Sequence, residues 1–242
     1  MNNFRKTAII VGVLYIIGTV AGVLSAIVST PILDGPDFLN KVSANENQFV
    51  IAALFVLLMG LALAMVPVML FPIFRKINEV LAVGYVVFRG ALETMTSIAT
   101  VILWLFLLIV GREYAAAGAP DASYFQVLGS VLKEGKDSIT PILVIVFSLG
   151  ALMLYYLLYR SKLIPRWISG WGVIAILLHL PTGFLIMFQL DTAFSPVNMA
   201  MNLPIGLQEM VMAVWLIAKG FSPSAITSLS ATTATKAPLS AA

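Results

Sequence analysis

The chain has 242 residues, 60% of them hydrophobic and only 10% charged, with a mean hydropathy of +1.01. A soluble domain carries about 25% charged residues, so these figures exclude a soluble globular protein and specify an integral membrane one. The net charge of +3 comes from basic residues that flank apolar runs and form no solvent-facing patch, so it says nothing about nucleic acid. The absence of cysteine excludes disulfides, thiolate metal sites and thiol catalysis.

In chain order, six apolar runs reach the roughly 20 residues that a spanning helix needs. They cover residues 7–29, 47–71, 80–110, 138–160, 168–190 and 197–218. The expected fold is an all-α, polytopic six-helix membrane bundle, with residues 1–221 as one transmembrane domain. The first run follows a basic start but exceeds a signal-peptide core of roughly 7–15 residues, so it reads as a retained membrane helix. Its small residues Gly12, Gly18, Gly22 and Ala26 suit close helix packing. The connection 111–137 carries Tyr124 to Leu132, which the pattern predicts as a short amphipathic helix lying on the membrane. After Phe221 the chain is rich in Ser, Thr and Ala, and residues 222–242 are expected to be disordered.

The basic residues set the orientation. Arg5, Lys6, Arg75, Lys76, Arg160, Lys162, Arg166, Lys219 and Lys236 fall on one side, against Lys41, Arg112, Lys133 and Lys136 on the other. The excess places both termini in the cytoplasm.

The segment from Gly84 to Glu93 sits inside the third apolar run and holds Arg89 and Glu93. An intramembrane charge costs at least ~2.5–3.5 kcal/mol, so it marks a functional-site hypothesis by default. On a helix Tyr85, Arg89, Glu93, Thr96 and Thr100 share one narrow arc that lipid cannot satisfy. Helix rise of ~1.5 Å per residue puts Arg89, Glu209 and His179 each about 15–16 Å from the cytoplasmic ends of their helices. Glu93 comes closest in depth to Asn202, on the same face of the last helix as Asn198 and Glu209. Tyr15 and Tyr155 lie where they complete a ring. With Arg89, Glu93 and Glu209 all ionised, one negative charge is left over. A protonated His179, a proton on one glutamate or a bound cation would balance it.

Three functions follow, from different classes. The leading one is small-molecule or ion binding or transport at a site of Arg89, Glu93 and Glu209, with Tyr85, His179, Asn202 and Gln208 around it. The second is a structural or regulatory membrane subunit that uses the same residues as interhelical ion pairs. The third is an intramembrane carboxylate enzyme with Glu93 and Glu209 as acid and base. No nucleophile–base set, His-Glu-x-x-His, Gly-x-Ser-x-Gly or phosphate-binding glycine loop is present, so no metal, cofactor or catalytic residue is assigned. The partners expected are the lipid bilayer and a small-molecule, lipid or ion ligand, with no nucleic acid.

Several strings together resemble a bacterial membrane-protein family catalogued as domain of unknown function 4386. They are Gly-Val-Leu-Tyr-Ile-Ile-Gly-Thr-Val-Ala-Gly at 12–22, Leu-Phe-Pro-Ile-Phe-Arg-Lys at 70–76, Gly-Tyr-Val-Val-Phe-Arg-Gly-Ala-Leu-Glu at 84–93, residues 154–169, and residues 203–221 with Gln208 and Glu209. The resemblance implies a multi-pass protein of a bacterial cytoplasmic membrane and carries no assigned activity. Tyr85, Arg89, Glu93, Gln208 and Glu209 match shared features of the family. His179 is not part of that pattern.

Overall fold

All six apolar runs are helical, and each is long and apolar enough to cross a membrane. A computed structural model describes the backbone of residues 3–117, 119–193 and 195–235, and their side chains except at 119–121 and 230–235. The spans are α1 (Asn3–Leu33), α3 (Glu46–Phe74), a compound third span, α6 (Ala119–Ser161), α7 (Arg166–Met187) and α8 (Pro196–Ala218). The third span is α4 (Glu79–Tyr85), a π-helical stretch (Val86–Leu92) and α5 (Glu93–Ala116). A short α2 (Phe38–Ala44) joins α1 to α3, and α9 (Pro223–Thr235) follows the last span. No strand occurs among the described residues.

The spans form a closed ring. Each packs against its neighbour in sequence, α1 on α3, α3 on α5, and so on to α7 on α8, and α8 returns to α1. Closure needs Gly12, because a Cβ there would lie 2.6 Å from the Ala213 carbonyl oxygen of α8. The Arg5 guanidinium locks the same end by donating to the Leu216, Ile217 and Ala218 carbonyl oxygens at 3.0, 2.6 and 3.2 Å. Those carbonyls are the unpaired ones a helix C-terminus leaves. Helix starts are equally local: Asn78 Oδ1 accepts from the Leu81 backbone N–H at 3.0 Å, and Ser195 Oγ from Asn198 at 3.0 Å, ahead of Pro196. Large apolar side chains such as Ile27, Met95, Ile174 and Val214 face outward and exposed, as a lipid-facing surface requires.

Two expectations are corrected. Tyr124 to Leu132 is no separate surface helix but part of the 43-residue α6. Its apolar face, Phe125, Leu128 and Leu132, finds protein instead of lipid, packing on a cluster that includes Phe38, Leu39 and Val42 of α2. The tail begins with a helix. Gly220, at φ +75°, turns the chain, Ser222 N–H donates to the Leu163 carbonyl at 2.8 Å, and Phe221 and Ala225 are buried with Ile226 and Leu229 packed beside them. An amphipathic spacing hidden in Ser/Thr/Ala-rich sequence accounts for the order. Residues 236–242, with Lys236, lie outside the described residues. Pro67, Pro72, Pro181 and Pro204 all fall inside helices and end none of them.

Candidate functional site

The charged segment of the third span is not an ordinary α-helix. Over Val86–Leu92 the backbone widens to a π-helix, a distortion that recurs at functional sites. Opposite it, α6 presents Gly150, where a Cβ would stand 3.1 Å from the Arg89 backbone nitrogen. The close approach brings α6 against the widened turn and leaves Arg89 only 2% exposed.

The side chains then meet across the ring. Arg89 Nη1 donates to Glu93 Oε2 at 3.0 Å, and Nη2 donates to Glu209 Oε1 of α8 at 3.2 Å. One guanidinium fork thus ties the third span to the last, as its planar geometry allows and an ammonium's does not. The side chains of Glu93 and Glu209 are 9% and 14% exposed, so Glu209 is the more reachable carboxylate. One turn before it, Gly206 has no atom within 4 Å of the position its Cβ would take. The Phe147 ring centroid lies 4.6 Å from Arg89 Cζ and the Tyr15 centroid 5.7 Å, so π-faces take up part of the cation's field. Tyr15 and Tyr85, both fully buried, share a 3.3 Å hydroxyl–hydroxyl hydrogen bond. Arg89 Nε has no partner among the described residues.

The other expected residues form two separate sets. The Tyr155 hydroxyl donates to Gln208 Oε1 at 2.5 Å, and Gln208 Nε2 donates to the Ile168 carbonyl at 3.0 Å. Gln208 is therefore a strut joining α8 to α6 and α7. His179 Nδ1 lies 2.6 Å from Asn202 Oδ1, which requires the proton on Nδ1, and Asn202 Nδ2 donates to Asn198 Oδ1 at 2.8 Å. Asn202, expected near Glu93, is engaged with His179 and Asn198 instead.

Phe147 is the residue that sequence reasoning misses. Its ring covers Arg89 and meets the His179 ring edge-on at 5.2 Å, so it joins two polar sets. A phenylalanine in an apolar run carries no signal of that role. A cavity of about 450 Å³ is equally invisible in sequence. It lies between α1, α3, α5 and α6, at the end of the ring away from Arg5, and reaches in to Thr96 and Ser97. Arg89, Glu93 and Glu209 are not among its lining residues. Thr96 and Ser97 donate to the Glu93 backbone carbonyl oxygen at 2.7 and 3.3 Å, so the inner end of the cavity lies one turn along α5 from Glu93. Among the described residues no group of three or more His, Cys, Asp or Glu is arranged to hold a metal.

One arginine faces two carboxylates in this cluster. That arrangement can hold a proton or a small cation as well as link two helices. The model of the family Domain of unknown function (DUF4386) matches residues 10–220, and the chain belongs to that family. No curated protein and no solved structure matches the chain.

Proposed function

We propose that this DUF4386 member recognises or transports a small solute or ion and uses the Arg89–Glu93–Glu209 cluster as its proton- or cation-binding element. The observation carrying the proposal is the imbalance of charge: Arg89 bonds to two carboxylates, the buried Glu93 and the partly buried Glu209. An interhelical clamp needs one carboxylate per arginine. A second one in low dielectric is costly unless a proton or cation accompanies it. Glu209 is the entry point, being the least buried of the three and next to the open face at Gly206. In this reading the protein sits in a bacterial cytoplasmic membrane with both termini in the cytoplasm, in keeping with the excess of basic residues at that end.

The structural-subunit reading has its own support, since both Nη groups of Arg89 are paired and the 450 Å³ cavity is lined by other residues. Thermal unfolding of the purified protein over pH 5–9, with and without Na⁺ or K⁺, separates the two. A midpoint that responds to pH or cation in wild type and stops responding in Glu209→Gln supports proton or cation binding. A flat response in both proteins assigns the cluster to interhelical clamping.

A further inference from the structure

The cavity between α1, α3, α5 and α6 is a site in its own right, and its chemistry differs from that of the cluster beneath it. Its volume of about 450 Å³ falls in the range of small-molecule sites, roughly 300–1,000 Å³. Four of the hydroxyls along it, those of Ser25, Thr96, Ser97 and Thr100, have given their hydrogens away. Thr96 and Ser97 donate to the Glu93 carbonyl, Thr100 to the Thr96 carbonyl at 3.0 Å, and Ser25 to the Ala52 carbonyl at 2.9 Å. Each bond is to backbone, so what these oxygens have left is lone pairs, and the inner wall accepts hydrogen bonds.

Charge at the mouth is balanced. At the mouth Lys133 and Lys136 stand with Asp34 and Asp137, and the four sum to zero. Lys133 is already committed, donating to the Leu33 carbonyl at 2.7 Å and lying 4.9 Å from the Phe38 ring centroid. Lys136 is held by Asp137 at 3.0 Å. Beneath the inner end lies the cluster of one arginine and two carboxylates. The rest of the wall is mostly apolar, with Trp104, Leu107 and Val56 offering a surface for an apolar body. Trp104 also leaves its Nε1–H without a partner among the described residues, a donor that an oxygen on the same ligand would satisfy.

We infer that this cavity binds an amphiphilic organic ammonium, its N–H groups donated to the Thr96, Ser97 and Thr100 oxygens and its apolar body laid against Trp104. The inference does not depend on the function proposed for Glu209. A free amine and the ammonium headgroup of phosphatidylethanolamine share this chemistry.

The test uses the full chain in phosphatidylcholine nanodiscs and isothermal titration with three probes of one shape: 3-phenylpropylamine, 3-phenylpropan-1-ol and 3-phenylpropanoate. The amine is expected to bind at least about tenfold more tightly than the carboxylate. Thr96→Val with Thr100→Val is expected to weaken the amine about tenfold and the alcohol less. Ala26→Phe, which fills the cavity from its rim, is expected to abolish amine binding while the protein remains monodisperse. Equal or tighter carboxylate binding would overturn the ligand class. Undiminished amine binding to Ala26→Phe would overturn the site, because the amine would then be partitioning elsewhere. With the inference upheld, a repeat in nanodiscs containing phosphatidylethanolamine identifies the source. Competition marks the lipid headgroup, and unchanged affinity marks a free amine.

Discussion

The two halves of the ring handle polarity in opposite ways. In the half near Arg5 and the α8 C-terminus, the full charges of Arg89, Glu93 and Glu209 are admitted and tightly paired, with only Glu209 partly exposed. Tyr15, Tyr85 and Tyr155 are fully buried there, and both Nη groups of Arg89 are paired. In the other half the charged residues lining the wall among the described residues are Asp34, Lys133, Lys136 and Asp137 at the mouth, and a cavity of about 450 Å³ is left between α1, α3, α5 and α6. Thr96, Ser97 and Thr100 divide the two, each turned to a backbone carbonyl. Full charge in low dielectric requires tight pairing, whereas hydroxyls satisfied by their own helix can border a void at little cost.

Breaking the closed half is expected to have the largest effect. Arg89→Ala leaves Glu93 and Glu209 without their cation, and removal of one partner of a buried pair costs about 3–5 kcal/mol. The expected result is loss of monodisperse protein on size-exclusion chromatography. Arg89→Lys is expected to fall between, because an ammonium cannot bridge Glu93 and Glu209 with a planar fork. Wild-type behaviour of Arg89→Ala would mean that the halves do not differ as described. Next comes Gln208→Leu, which takes away the acceptor of the Tyr155 hydroxyl and the donor to Ile168, both in fully dry surroundings. Leaving such groups unpaired costs about 1–3 kcal/mol, readable as a lower unfolding midpoint.

A smaller loss is expected from Phe147→Leu. The ring's attraction for Arg89 is worth about 0.5–2 kcal/mol, and the smaller side chain also gives up its contact with the His179 ring. Comparing Phe147→Leu and His179→Ala, each alone, with the double variant sharpens the picture. Non-additive changes in unfolding free energy would show that the Phe147 and His179 rings are energetically coupled, and additive ones that the two act independently.

Much of this arrangement is legible in sequence, and what is not has physical reasons. Hydropathy locates all six spans, because backbone in lipid must bond to itself and a helix of fixed rise needs a fixed length. Depth along each helix brings Arg89 and Glu209 to one level, and the two do meet. Depth says nothing about azimuth, so Asn202, matched in depth to Glu93, joins His179 instead. The π-helical turn at Arg89 packs against α6 at Gly150, a long-range contact that no local pattern encodes. The cavity is an absence of side chains between helices distant in sequence. Composition misled at the tail, where Ser, Thr and Ala masked the spacing of Phe221, Ala225 and Leu229.

The smallest effect is expected from an ion pair with better geometry than the buried one. Arg112 donates to both carboxylate oxygens of Glu46, at 2.7 Å each, and ties α5 to α3 at the open end. Its side chain is 54% exposed and that of Glu46 33%, so water and salt screen the pair. Water also solvates either partner once the other is gone, which the closed half does not allow the buried Glu93. Arg112→Ala is therefore expected to leave the unfolding midpoint unchanged at physiological salt, despite the shorter bonds. If it instead destabilises the protein as much as Gln208→Leu, the α3–α5 contact at that end is a point of strength, and the contrast between a closed and a loosely held half fails.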